Sequence, residues 1–312
     1  MPVVLFLLAL LLAGCATQTR SLLQRAPQGL PRQAELAATP FYPQERYQCG
    51  PAALAMSLNA AGFSASPDAL VAQVYVPQRE GSLQPEMLAA GRRHGALSVT
   101  IAPRLDALLT EIAAGNPVLV LQNLSLQWAP LWHYAVVIGY DLGREEIILR
   151  SGTTERLVLP MSTFEHTWAR GAYWGMVTLP PDRLPATAEE AGVVDAVVAL
   201  EKSGNAAHAH RAYATALRRW PQNLTLLLGY GNTAYASGDR TGAAAAYRRA
   251  TEQHPESAAA FNNLATVLSE LGQFDQARLA AEKAVALGGP WRDAAYATLQ
   301  SIDAAQRKRA SK

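Results

Sequence analysis

The chain has 312 residues, half of them hydrophobic and 17% charged, a composition that suits folded domains and leaves room for two of modest size. A formal net charge of +2 gives no footing for nucleic-acid binding or for an acidic substrate. The six histidines are scattered without ligand spacing and the two cysteines, Cys15 and Cys49, stand in different contexts, so no metal, cofactor or structural disulfide is expected.

Residues 2–14 form an apolar run ending in Gly14, directly before Cys15. The run is shorter than the roughly 20 residues of a spanning helix and suits the core of a signal peptide. No Lys or Arg precedes it. Leu12-Ala13-Gly14-Cys15 resembles the bacterial lipobox, where small residues let a peptidase close on the backbone and the thiol becomes the acylation site. That resemblance implies a signal peptide over 1–14 and lipidation at Cys15. Ala16 in place of Asp after the cysteine implies sorting to the outer membrane, with the body facing the periplasm. Several acyl chains would make a stable anchor. Residues 15–40, with Pro27, Gly29 and Pro31, read as a tether with one short helix.

Residues 41–180 read as an α+β domain. Cys49 follows a polar loop, Pro43 to Gln48, and opens a helical run from Ala52 to Asn59. A thiol at a helix N-terminus meets partial positive charge, which favours thiolate. The plain alternative is a cysteine packed as a small apolar residue. Further helices are expected over 66–74 and 84–94, where Pro67 and Pro85 suit first turns, and over 104–114. The period then becomes that of strands at 118–122, 133–140, 147–150, 156–160 and 172–179, with Asp141-Leu142-Gly143-Arg144 as a hairpin turn. Helices first and an antiparallel sheet second is an α+β arrangement. His133 is the strand-borne base candidate for the thiol.

Four blocks now stand in one order: Gln44 with Cys49-Gly50-Pro51-Ala52, Gly81-Ser82-Leu83, Gly115-Asn116-Pro117-Val118, and His133-Tyr134-Ala135-Val136-Val137-Ile138-Gly139-Tyr140. Together they resemble the papain-like cysteine peptidases related to the bacteriocin leader-processing family, and more closely the bacterial lipoproteins that fuse such a domain to tetratricopeptide repeats. The resemblance implies Cys49 as nucleophile, His133 as general base and Gln44 as oxyanion-hole side chain beside the Cys49 N–H, with Gln48 as second candidate. The family usually orients its histidine with an Asp in an Asp-Pro pair after the next strand. Here Ser151 holds that place, in Arg150-Ser151-Gly152. Asp141 lies at the far end of the His strand, roughly 20 Å or more away at about 3.3 Å per residue. A Cys–His pair works with less support than a Ser–His pair. Tyr42, Tyr47, Trp128, Trp132 and Tyr134 flank the site in sequence, either as a substrate groove or as packing.

Pro180-Pro181-Asp182-Arg183-Leu184-Pro185 breaks regular structure and reads as a stiff linker over 181–188. Beyond it the chain repeats every 34 residues: Gly204, Gly238 and Gly272; Ala209, Ala243 and Ala277; Ala216, Ala250 and Ala284. Pro221 and Pro255 close two units, Tyr213, Tyr247 and Ala281 share a position, Phe261 and Leu264 fill large slots in the third unit, and Val193 and Ala196 fill them in the first. This is the tetratricopeptide period, giving an all-α solenoid over 189–308 closed by a capping helix from Trp291 to Arg307. Asn232, Asn262 and Asn263 are polar positions for a bound peptide, or simply a solvated face.

The expected function is an exported, membrane-anchored cysteine peptidase acting on a peptide or protein substrate, with repeats that recruit a protein partner. The reading from another class is an inactive papain-like fold serving with the repeats as a binding scaffold.

Overall fold

The computed structural model describes residues 16–43 and 48–310. The chain divides into two compact units, one reaching Pro180 and including Pro185–Glu189, the other holding Pro181–Leu184 and everything from Glu190.

The first unit is an α+β domain. Its centre is α2 (Cys49–Ala60), in which every residue from Gly50 to Leu58 is buried. A helix apolar on all sides has to be covered all round, and small Ala and Gly side chains let neighbours come close. On one side lie α3 (Pro67–Val74) and α4 (Gln84–Arg93), which contribute Leu70, Val74, Met87 and Ala90 to the core. On the other side Leu119, Leu121, Tyr134, Val136, Ile138 and Ile148 of the sheet complete it. Ser66 caps α3 by accepting the Ala69 N–H at 3.2 Å, which is why that helix starts at Pro67.

The sheet is antiparallel in the order β4-β9-β5-β6-β7-β8, with β1 also pairing β6. Its strands are β1 (Gln33–Glu35), β4 (Leu97–Thr100), β5 (Val118–Asn123), β6 (Trp132–Asp141), β7 (Glu146–Ser151), β8 (Thr154–Pro160) and β9 (Gly175–Leu179). Tyr75–Val76 and Gly81–Ser82 form a separate small hairpin, β2 and β3. In β5 the whole span is buried, the mark of a strand covered on both faces. Its second cover comes from α5 (Leu105–Ala113) and α6 (Met161–Arg170).

One sequence expectation changes. The stretch read as a tether, 15–40, packs onto the domain from residue 17 onward, and the one short helix expected in it is present. Thr17–Gln24 forms α1, whose first backbone N–H groups at Gln18 and Thr19 donate to the Glu165 carboxylate at 2.9 and 2.7 Å, and β1 joins the sheet through Ala34 opposite Tyr140. The end of the expected stiff linker 181–188 is fastened to the first unit. Buried Glu111 accepts the N–H groups of Ala186 and Thr187 at 3.1 and 2.7 Å, and the Thr187 hydroxyl at 2.5 Å.

The second unit is an all-helical repeat array: α7 (Glu190–Lys202), α8 (Ala206–Arg219), α9 (Leu224–Ala236), α10 (Arg240–Gln253), α11 (Ala258–Glu270), α12 (Phe274–Leu287) and α13 (Arg292–Ala310). The period has a direct physical basis. Gly204, Gly238 and Gly272 hold φ near +90°, +87° and +75° in the turns between paired helices, where a side chain would be strained. Ala209, Ala243, Ala277, Ala216, Ala250 and Ala284 are fully buried where helices cross. Tyr213 and Tyr247 anchor by hydrogen bonds from their hydroxyls to Glu201 (2.6 Å) and Asn232 (2.7 Å). Ile302 of α13 joins the core of the last units.

Candidate active site

The segment before Cys49 is brought in by a buried arginine. Arg150, 5% exposed, donates from Nη2 to the carbonyls of Ala37 (2.8 Å) and Thr39 (2.9 Å), and from Nη1 to that of Glu155 (2.6 Å). It therefore pins residues 37–39 against β7 and fixes where the chain leaves for the cysteine loop. Its signal in the sequence was a lone charge in the apolar run Ile147-Ile148-Leu149-Arg150.

Cys49 is the first residue of α2, half-buried. The next residue has to be glycine: a Cβ on Gly50 would lie 2.2 Å from Ser82 Oγ and 2.6 Å from Ser82 Cβ. The Gly81-Ser82 strand thus packs directly on the helix start. Tyr134, buried in β6, secures the same strand by donating its hydroxyl to the Ser82 carbonyl at 3.1 Å.

His133 sits near the start of β6, opposite Gln122 of β5. Gln122 is itself buried and donates to Thr167 Oγ1 of α6 at 2.6 Å. Continuing the β6–β7 register from Val136 opposite Arg150 sets Ser151 across from Ala135, two residues from His133 on the same face. That diagonal lies within reach of a long side chain, and His133 Nε2 meets Ser151 Oγ at 2.9 Å. Asp141 is engaged elsewhere, its Oδ1 accepting the N–H groups of Gly143 (2.7 Å) and Arg144 (3.0 Å) in the hairpin turn.

The structure therefore brings His133 and Ser151 together. It places the Cys49 sulfur against the backbone N–H of Tyr134, one residue along from His133. Among the described residues no hydrogen bond joins thiol to imidazole. Gln44, Tyr47 and Cys15 lie outside the described residues. Gln48, the second oxyanion candidate, is the N-cap residue of α2, and its side chain makes no cap bond.

Burial opposes the thiolate that the helix start favours. Burial pushes the Cys49 thiol up, against the N–H groups of Tyr134, Gly50 and Cys49 itself, which pull it back. Burial also pushes the His133 imidazole down. Desolvation of the charged form thus works against the oriented amides of the helix start.

Among the flanking aromatics, Tyr134 is 2% exposed and belongs to the core, whereas Trp128 and Trp132 are 82% and 53% exposed. In the repeats, Asn232 and Asn262 each hold a partner within the array, and Asn232 remains exposed. Asn232 Oδ1 accepts the Tyr247 hydroxyl, and Asn262, 8% exposed, accepts the Thr298 hydroxyl at 2.9 Å.

A cavity of about 350 Å³ lies at the other end of β6, lined by Glu35, Asp141, Arg144, Glu146 and Arg156 among others. Its charges pair internally, Arg156 with Glu35 at 2.8 Å and Arg144 with Asp141 at 3.8 Å, and it contains no nucleophile. Among the described residues no three His, Cys, Asp or Glu side chains cluster to hold a metal, and no helix is long and apolar enough to cross a membrane.

Comparison with known proteins agrees with this division. Residues 36–174 match the Peptidase_C39 like family, and residues 194–258 and 228–295 match tetratricopeptide repeats. No curated protein matches the chain. Among solved structures, a Bacillus anthracis protein named for a C39-like peptidase is 18% identical, covering 48% of this chain and 98% of its own at a TM-score of 0.41. The Sgt2 tetratricopeptide domain from Aspergillus fumigatus is 22% identical, covering 40% of this chain and 84% of its own at a TM-score of 0.37.

Proposed function

Because the chain joins a Peptidase_C39-like domain to tetratricopeptide repeats, we propose that it is a cysteine peptidase of the bacterial cell envelope. The observation that carries this reading is the 2.9 Å contact between His133 Nε2 and Ser151 Oγ. When Ser151 accepts the Nε2 proton, the Nδ1 lone pair is free to act as base. The Cys49 sulfur then attacks a peptide carbonyl while its proton passes to Nδ1. The Cys49 N–H and the Gln44 amide hold the developing oxyanion. Collapse expels the amine, which takes the proton from the imidazolium. A thioester remains on Cys49, and water, deprotonated by His133, releases the acid and restores the thiol. The repeats recruit the substrate or a protein partner. Acylated Cys15 anchors the chain to the outer membrane, facing the periplasm.

The test is to incubate the protein with a peptide library and read the mass of intact enzyme and of the fragments. An acyl adduct on Cys49, with cleavage lost in Cys49→Ala, is expected. Equal cleavage by Cys49→Ala removes the peptidase reading.

A second reading has its own support. The raised thiol, the lowered imidazole and a serine in place of an acid fit a silent domain that works with the repeats as a protein-binding scaffold. Binding of partners with no adduct and no cleavage would favour it.

A further inference from the structure

The loop between β5 and β6, which leads directly into His133, exposes an unusual set of side chains. Leu124, Leu126, Trp128, Leu131 and Trp132 are 44%, 52%, 82%, 59% and 53% exposed. From residue 122 to residue 132 the chain has no charged side chain. Scattered single apolar residues need no explanation, but a contiguous patch does.

The loop is also closed on itself. Leu126 and Ala129 form a bridge, and the Ala129 N–H donates to the Leu126 carbonyl at 3.2 Å. The Leu124 N–H donates to the Leu131 carbonyl at 2.9 Å. Buried Asn123 accepts the N–H groups of Ser125 (3.0 Å) and Leu131 (2.9 Å) on its Oδ1. Much of the backbone is thereby paired within the loop, and the side chains at its surface offer few hydrogen-bonding groups. A protein interface normally has a polar, hydrogen-bonding rim. A lipid surface instead penalises unpaired backbone polar groups and favours Trp and Leu at its boundary.

A second observation fixes the direction. α6 carries both this loop and the point where the chain enters the described structure. Its Glu165 holds the Gln18 and Thr19 N–H groups. Its Thr167 accepts from Gln122, and its Arg170 donates from Nε to the Asn123 carbonyl at 3.2 Å. Residues 165 and 170 are separated by roughly 7.5 Å along a helix axis. The first described residues, Gln18 and Thr19, are thus fastened to the same helix that holds the base of the loop.

We infer that the loop of residues 124–132 is a membrane-docking surface that seats the domain on the lipid bilayer, with the entrance to His133 next to the membrane plane. The inference rests on the envelope placement proposed above and adds a contact separate from the lipid anchor. Such a seat would present the site to substrates lying at the bilayer surface.

The test uses the full chain reconstituted with vesicles of phosphatidylethanolamine and phosphatidylglycerol, with and without brominated acyl chains. Flotation reports attachment by any route. The emission difference between wild type and Trp128→Phe reports Trp128 alone. At least a twofold quenching of the Trp128 contribution by brominated lipid is expected. It should vanish in Leu126→Asp/Leu131→Asp, which should still float through its N-terminal segment and keep its Cys49 labelling rate. Flotation with Trp128 unquenched overturns the loop contact and leaves the anchor standing. Failure to float overturns both. Trp128 emission that answers to an apolar substrate peptide but not to brominated lipid makes the loop a substrate platform and overturns the bilayer as its partner.

Discussion

His133 Nε2 lies 2.9 Å from Ser151 Oγ, so the position that would hold an acid in a Cys–His–Asp triad holds a neutral hydroxyl. A hydroxyl can accept the ring proton or donate one. It therefore selects the ring tautomer less firmly than a carboxylate, and it adds no charge to stabilise imidazolium. Ser151→Asp should raise the imidazole pKa, because an opposite charge at this range shifts a titrating group by about 1–3 units. Peptide-probe labelling of Cys49 near neutral pH should rise by about tenfold or more, and Ser151→Ala should lower it. Unchanged rates in both variants, with the fold intact, would remove Ser151 from the site.

The pH dependence follows from the two buried groups. The thiol is pushed above its ordinary 9.0 and the imidazole below 6.5, so between those values both are neutral. Alkylation of Cys49 by iodoacetamide in the free protein should climb with pH and reach its midpoint above 9.0. A reactivity plateau extending into acid would instead mean a resting thiolate–imidazolium pair.

Gly50→Ala should damage the site through packing. The new Cβ would fall 2.2 Å from Ser82 Oγ and 2.6 Å from Ser82 Cβ, and such overpacking costs about 1–3 kcal/mol. Thermal unfolding should show the loss. Adding Ser82→Gly, which removes both clashing atoms, should restore much of it.

Arg150→Met should loosen the approach to the cysteine loop. The carbonyls of Ala37, Thr39 and Glu155 lose a charged donor, at a cost on the order of 3 kcal/mol. Denaturant unfolding should measure that loss, and proteolysis should cut first between residues 37 and 43.

Much of this was legible in the sequence, and the reasons differ by element. The Cys-Gly-Pro start of α2 and the His-Tyr-Ala-Val-Val strand were readable because helix-start chemistry and β-branched runs are local signals. The repeats were readable because their crossing points demand small side chains at a fixed period. The docking of residues 17–39 was not, since it depends on Glu165 and on β6, both more than a hundred residues away. Strand β4 (Leu97–Thr100) was too short to stand out, and α6 lies between two expected strands, over a stretch to which no element had been assigned. The effect of burial on Cys49 and His133 was hidden for the same reason: it comes from the folded neighbours, and the helix start alone pointed the other way.

The central claim is that His133 activates Cys49. The most direct measurement is the rate at which a thiol-reactive peptide probe labels Cys49 at neutral pH in wild type, His133→Ala and Cys49→Ala. The account predicts labelling of wild type well above that of a free thiol, a fall of at least about a hundredfold in His133→Ala, and none in Cys49→Ala. Wild type labelling no faster than a free thiol, with His133→Ala unchanged, would contradict it.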